Sequence, residues 1–90
     1  MIPIRYVQYS FGKHRIFYIV EGGGDLASPP TVCCYRPKSC KDDKEIIDLE
    51  HLDTGIYYFD IDFKCQGNHL LVYFEGEQKT GILNAIVRPY

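Results

Sequence analysis

The chain has no tryptophan, one methionine and no long stretch built from Ala, Leu, Lys and Glu. The last absence excludes long surface helices, since those are the residues that favour helix without help from packing. No apolar run approaches the ~18 residues of a membrane-spanning helix, so no membrane insertion is expected. Basic residues are scattered and the formal charge is −2. Nucleic acid needs a basic stripe to neutralise its phosphates, and that class of partner is set aside. The opening "MIPIRYVQYS" has Arg5 and Gln8 where a secretory leader needs an unbroken apolar run, and no A-x-A-like cleavage site follows. A cytoplasmic setting is therefore expected over a secreted one.

Motifs for phosphate and metal are missing as well. The glycines at 22–24 match neither G-x-G-x-x-G nor G-x-x-x-x-G-K-[ST], and no helical pattern follows to offer an N-terminus to an anion. Cys33, Cys34, Cys40 and Cys65 contain no C-x2-C knuckle, so no metal and no other cofactor is expected. Without a leader, reduced thiols are expected over disulfides. Adjacent strand residues point to opposite faces, so one of Cys33 and Cys34 at most should be buried.

What the chain does have is eight Tyr and five Phe, residues that favour strands. Its 90 residues make one domain. Short apolar segments recur between turn-forming residues: "IPIRYVQYSF", "HRIFYIVEG", "TVCCYRP", "GIYYFDIDF", "HLLVYFEGE" and "TGILNAIVRPY". "IIDLEHL" fits a short strand or a helical turn equally well. A spacing of about 8–12 residues between such segments predicts an all-β antiparallel sandwich of about six to seven short strands. The glycine- and proline-rich 22–30 reads as a long loop, "KSCKDDKE" at 38–45 as a polar loop, 64–68 as a hairpin loop, and 75–79 as a turn. "RIFYIV" is apolar on both faces, as in a central strand or one covered by a partner.

In "DTGIYYFDIDF", alternation puts Tyr57, Phe59, Ile61 and Phe63 on one face as a core row, and Tyr58, Asp60 and Asp62 on the other. Asp53-x-Gly55-x-Tyr57 resembles the tyrosine corner of immunoglobulin-like sandwich domains. Gly55-Ile56-Tyr57 followed by Gly67-Asn68-His69 is similar to their rhythm of a glycine at the turn before each strand. The resemblance implies an immunoglobulin-like fold with Asp53, Gly55, Tyr57 and Gly67 in structural roles. Phe59 stands where an antibody-type domain carries cysteine. The whole also looks like small bacterial or phage accessory domains of virions and cell surfaces, which implies an assembly role and a virion-associated alternative to the cytoplasm.

An outward pair such as Asp60 and Asp62 can hold a cation or a sugar hydroxyl, but acid–base catalysis would require one of them to be desolvated. No enzyme is expected. Cys65 and His69, four apart, are expected to lie near each other, without an oxyanion hole to make a nucleophile of the thiol. Tyrosine gives stiff contact area with a polar tip and is favoured at interfaces. Tyr9, Phe17, Tyr18 and Tyr58 are accordingly the interface candidates, and a protein partner or self-association is the expected mode of action. The alternative is a carbohydrate- or small-ligand-binding module using exposed tyrosines with Asp60 and Asp62.

Overall fold

The computed structural model describes residues 2–38, 40–41 and 44–89. Ser39, Asp42 and Asp43 of the polar loop expected at 38–45, with Met1 and Tyr90, lie outside the described residues. Among the described residues there are eight strands and no helix: β1 (Ile4–Ser10), β2 (Gly12–Ile19), β3 (Thr31–Tyr35), β4 (Lys44–Asp48), β5 (Glu50–Asp53), β6 (Ile56–Phe63), β7 (Gly67–Glu75) and β8 (Gln78–Arg88). They form a five-stranded sheet in the order β1-β8-β7-β3-β4 and a three-stranded sheet in the order β2-β6-β5. One core cluster draws on both sheets. Tyr57, Phe59, Ile61 and Phe63 of β6 are 1–5% exposed, and they meet Leu71 and Tyr73 of β7, Leu83, Ala85 and Val87 of β8, and Val32 and Cys34 of β3. The two-residue alternation of "IYYFDIDF" produces this row directly.

Long-range pairing alters several local expectations. The strand count is eight because "IIDLEHL" holds two strands, one in each sheet. Leu49, 2% exposed, sits at the crossing, and its N–H donates to Pro30 O at 3.0 Å. The five-stranded sheet is not purely antiparallel: β1 runs parallel to β8, from Ile4 opposite Ile82 to Ser10 opposite Arg88. β2 is an edge strand of the smaller sheet rather than a central one, and Phe17 and Ile19, on the outer face of that sheet, are exposed. Residues 64–66 carry the chain from the small sheet to the large one instead of closing a hairpin. The turn before β8 is the tight hairpin expected, with Glu75 opposite Gln78. Both Cys33 and Cys34 are buried. Cys34 faces the core, and Cys33, on the opposite face of a strand flanked on both sides, lies between Ile46 and Val72.

The 22–30 loop is tied down by the turn at Asp53–Gly55. Val20 N–H donates to Gly55 O at 2.8 Å, Gly55 N–H to Asp25 Oδ1 at 2.7 Å, and Leu26 N–H to the Tyr57 hydroxyl at 3.1 Å. Tyr57 therefore does bond to backbone, but to a loop 31 residues upstream rather than to its own turn as in a tyrosine corner. Gly55 has φ +71°, and a Cβ there would stand 2.7 Å from Gly23 O. No side chain fits that turn while the loop is docked.

Candidate functional site

Three surfaces gather chemistry. The first is the outer face of the five-stranded sheet, where the register lines up Ile4, Ile82, Val72, Cys33 and Ile46 straight across all five strands. The adjoining row is Tyr6, Asn84, Leu70, Tyr35 and Lys44. A solvent face of a sandwich normally alternates to polar residues. This one keeps Ile4, Tyr6, Tyr35, Ile46 and Leu70 substantially exposed, Tyr6 and Ile46 at 67% and 66%. Within it the Asn84 side-chain oxygen is buried without a hydrogen-bond partner. None of these residues stood out in the sequence, because only the register between distant strands turns scattered apolar residues into a band.

The second surface is the outer face of the three-stranded sheet, which carries Asp60, Asp62, Tyr58 and Phe17. Arg15 faces Asp60 across the ladder and donates to both its carboxylate oxygens, at 2.8 and 3.1 Å. That contact holds the Asp60 carboxyl below its ordinary range. Asp62 is 3.9 Å from Lys64 Nζ. The Arg15 guanidinium lies 4.3 Å from the centre of the Tyr58 ring, so one face of that tyrosine is covered. The Tyr58 hydroxyl bonds to Glu50, which raises its pKa. Phe17 is opposite Tyr58 and 52% exposed. Both carboxylates thus have cationic neighbours on an open face, and at Asp60 the bond to Arg15 outweighs the desolvation that proton transfer would require.

Tyr9 and Tyr18, interface candidates together with Phe17 and Tyr58, instead pack half-buried against the core cluster. Tyr18 stacks on Tyr73 at 5.0 Å, and its hydroxyl lies 2.5 Å from both Glu75 Oε2 and Thr80 Oγ1. A shift in register between Tyr73 and Phe74 accompanies the Thr80 contact. Burial, followed by the bond to Glu75, pushes the Tyr18 phenol up to about 12. This is a structural knot at the mouth of the sandwich.

The third surface is the corner where the chain leaving β3 meets the β6–β7 crossing. Cys40 N–H closes a turn on Pro37 O at 3.0 Å. Pro37 in turn packs on Gly67, where φ is +131° and a Cβ would come within 3.0 Å of the proline ring. This packing brings together Cys40 and Cys65, which form a disulfide with Cα atoms 5.6 Å apart. The expectation of reduced thiols thus holds for Cys33 and Cys34 and is corrected for this pair. Spacing alone could not bring in Cys40, 25 residues away and carried here by the path of the chain.

The alternation of β7 turns His69 inward, 1% exposed, with its ring edge against Phe63 at 5.0 Å. Its Nδ1–H donates to Gly67 O at 3.3 Å, and Nε2 lies 3.8 Å from Cys40 Sγ and 3.7 Å from Cys65 Sγ. Burial lowers the pKa of the imidazole, which keeps it neutral. These three residues are the group that could hold a metal among the described residues, their ligand atoms all within 4.8 Å. Beside them is an open depression of about 660 Å³ rimmed by Arg36, Lys41, Glu45, Asp60, Asp62 and Lys64.

No helix among the described residues is long and apolar enough to cross a membrane. Compared with known proteins, the chain matches no family model, no curated protein and no solved structure.

Proposed function

We propose that the chain is a non-enzymatic, immunoglobulin-like sandwich that acts in protein assembly, pairing with a second copy of itself through the outer face of β1-β8-β7-β3-β4. The observation that carries this reading is the apolar row from Ile4 to Ile46, which leaves every strand of the larger sheet with an apolar side chain facing outward. Val72 and Cys33 at its centre are covered, while Ile4 and Ile46 at its ends, with Tyr6, Tyr35 and Leu70 of the adjoining row, are exposed, and exposed apolar area of this kind marks an interaction surface.

The immunoglobulin-like part rests on strand order. Taking β2, β3, β5, β6, β7 and β8 as strands B to G gives B-E-D in one sheet and C-F-G in the other, the order of immunoglobulin sheets. β4 then lies beside C as in variable-type domains, and β1 lies beside G. Asn84 favours a second copy as the occupant. An amide is both donor and acceptor, so a two-fold axis near this point would let two copies complete each other once the exposed Tyr6 beside it swings aside. A place as a structural accessory of a virion or bacterial surface fits such a module.

The sugar-binding reading has less behind it, because Asp60 and Asp62 have cationic partners and Arg15 lies over Tyr58. Sedimentation from micromolar to millimolar concentration tests the assembly reading. A concentration-dependent dimer is expected, and Ile46→Lys should weaken it at least about thirtyfold, the effect of losing a 2 kcal/mol hot spot. A wild-type chain that stays monomeric throughout, or a dimer indifferent to Ile46→Lys, would overturn it.

A further inference from the structure

We propose that, when a thiol reductant opens the Cys40–Cys65 bond, Cys40, Cys65 and His69 become a binding site for one zinc ion or a similarly thiophilic divalent metal, with the fourth coordination position open to the neighbouring depression. The geometry of the histidine points there. Zinc bonds of about 2.3 Å to sulfur and 2.0–2.1 Å to nitrogen, set at a tetrahedral angle, place sulfur and nitrogen about 3.6 Å apart. Nε2 stands 3.7 and 3.8 Å from the two sulfurs, so it is already at the required distance from both. The sulfurs need only rotate about their side-chain bonds to reach the ~3.8 Å that a shared tetrahedral zinc sets between them. Cα atoms 5.6 Å apart leave room for that rotation.

The rest of the corner is arranged as metal sites are. The Nδ1–H bond to Gly67 O selects the tautomer that bares Nε2, the role an outer-shell carbonyl plays for a metal-bound histidine. While the cysteines are joined, neither sulfur carries a proton for Nε2. A buried ring nitrogen therefore has its lone pair aimed at two atoms that cannot donate to it. Two thiolates cancel the charge of a divalent ion. The rim balances too, with three cations (Arg36, Lys41, Lys64) and three carboxylates (Glu45, Asp60, Asp62).

The chemistry balances in two steps. A dithiol reductant delivers two electrons: the protein S–S bond breaks, two protein thiols form, and the reductant leaves as its own disulfide. The metal ion then displaces both thiol protons to solvent as the two sulfur–metal bonds form. Disulfide and metal are thus alternative occupants of one corner, selected by the thiol–disulfide balance of the surroundings.

The test uses the full chain, reduced under anaerobic conditions and titrated with cobalt(II) as a spectroscopic probe, then with zinc. Reduced protein should develop thiolate-to-cobalt charge-transfer absorption that saturates at one equivalent and is lost when zinc displaces the cobalt. Native mass spectrometry should show one zinc per chain. The untreated disulfide form should give neither signal. Cys40→Ser and, separately, Cys65→Ser should abolish the one-equivalent saturation, and His69→Gln should shift the ligand-field bands. If reduction unfolds the chain, zinc should restore its near-ultraviolet circular dichroism. A reduced wild-type chain that yields no thiolate–cobalt band and is not refolded by zinc overturns the proposal. So does a band that persists unchanged in Cys40→Ser.

Discussion

Replacing Gly55 by alanine should be among the most damaging single-methyl changes available in this chain. The residue sits at φ +71°, where a side chain costs about 1–2 kcal/mol through the clash of Cβ with the following carbonyl. The added carbon would also lie 2.7 Å from Gly23 O and 2.8 Å from Gly23 C, both backbone atoms that no side-chain rotation can move. The 22–30 loop would have to lift. Lifting it strains the bonds from Gly55 N–H to Asp25 and from Leu26 N–H to Tyr57. The neutral bond to Tyr57 contributes about 0.5–1.5 kcal/mol, and the bond to the solvent-exposed Asp25 adds to the loss.

Conformation and the Tyr57 bond together come to about 1.5–3.5 kcal/mol before the Asp25 bond and the steric overlap are counted, against about 5–13 kcal/mol for a whole domain of this size. Gly76→Ala is the control, since its φ is +64° but nothing lies within 4 Å of an added Cβ. It should cost only the ~1–2 kcal/mol of conformation. Urea unfolding followed by circular dichroism separates the two. With a slope of about 1–3 kcal/mol per molar urea, the Gly55→Ala midpoint should fall below that of Gly76→Ala by about 0.2–1.5 M from the Tyr57 bond alone. Midpoints that coincide would refute the docking argument and leave only backbone conformation.

Asp25 is held below its ordinary pKa of 3.8, first by the Gly55 N–H and then by His51. A depressed carboxyl contributes stability that is complete above 3.8 and is lost as pH falls through the lower folded-state value. The thermal-midpoint gap between wild type and Asp25→Asn should therefore close on acidification below 3.8, and a gap that stays constant with pH would contradict the assignment. Tyr57→Phe leaves Leu26 N–H without its acceptor and should cost about 1–2 kcal/mol, while Tyr58→Phe stays within about 0.5 kcal/mol, by chemical denaturation. Alkylation of the folded, reduced chain should modify Cys40 and Cys65 and spare Cys33 and Cys34, as peptide mass mapping will report; burial raises the Cys34 thiol to about 11.

The features visible in the sequence were those carried by neighbours in the chain. The alternation of Tyr57, Phe59, Ile61 and Phe63 is local, and it placed the central core row. The Glu75–Gln78 turn is local too, as is the proximity of Cys65 to His69. What depended on pairing between distant strands was not visible. "RIFYIV" resembles a central strand because both its faces are apolar, and nothing local says that only β6 lies beside it. Cys33 and Cys34 cannot both face the core, yet both are buried, since the flanks of β3 are closed by residues far along the chain. Cys40 and the row from Ile4 to Ile46 were hidden for the same reason.

The parallel pairing of β1 with β8 has a mechanical consequence. Tension applied through the two ends of the chain draws β1 toward its start and β8 toward its finish, so it acts along the strands in opposite directions. The ladder from Ile4–Ile82 to Ser10–Arg88 is then loaded in shear, and its hydrogen bonds share the force instead of parting one after another. A hairpin pulled from its open end would unzip at much lower force. The outermost ladder of the larger sheet is therefore the part of the fold best placed to resist tension applied through its two ends.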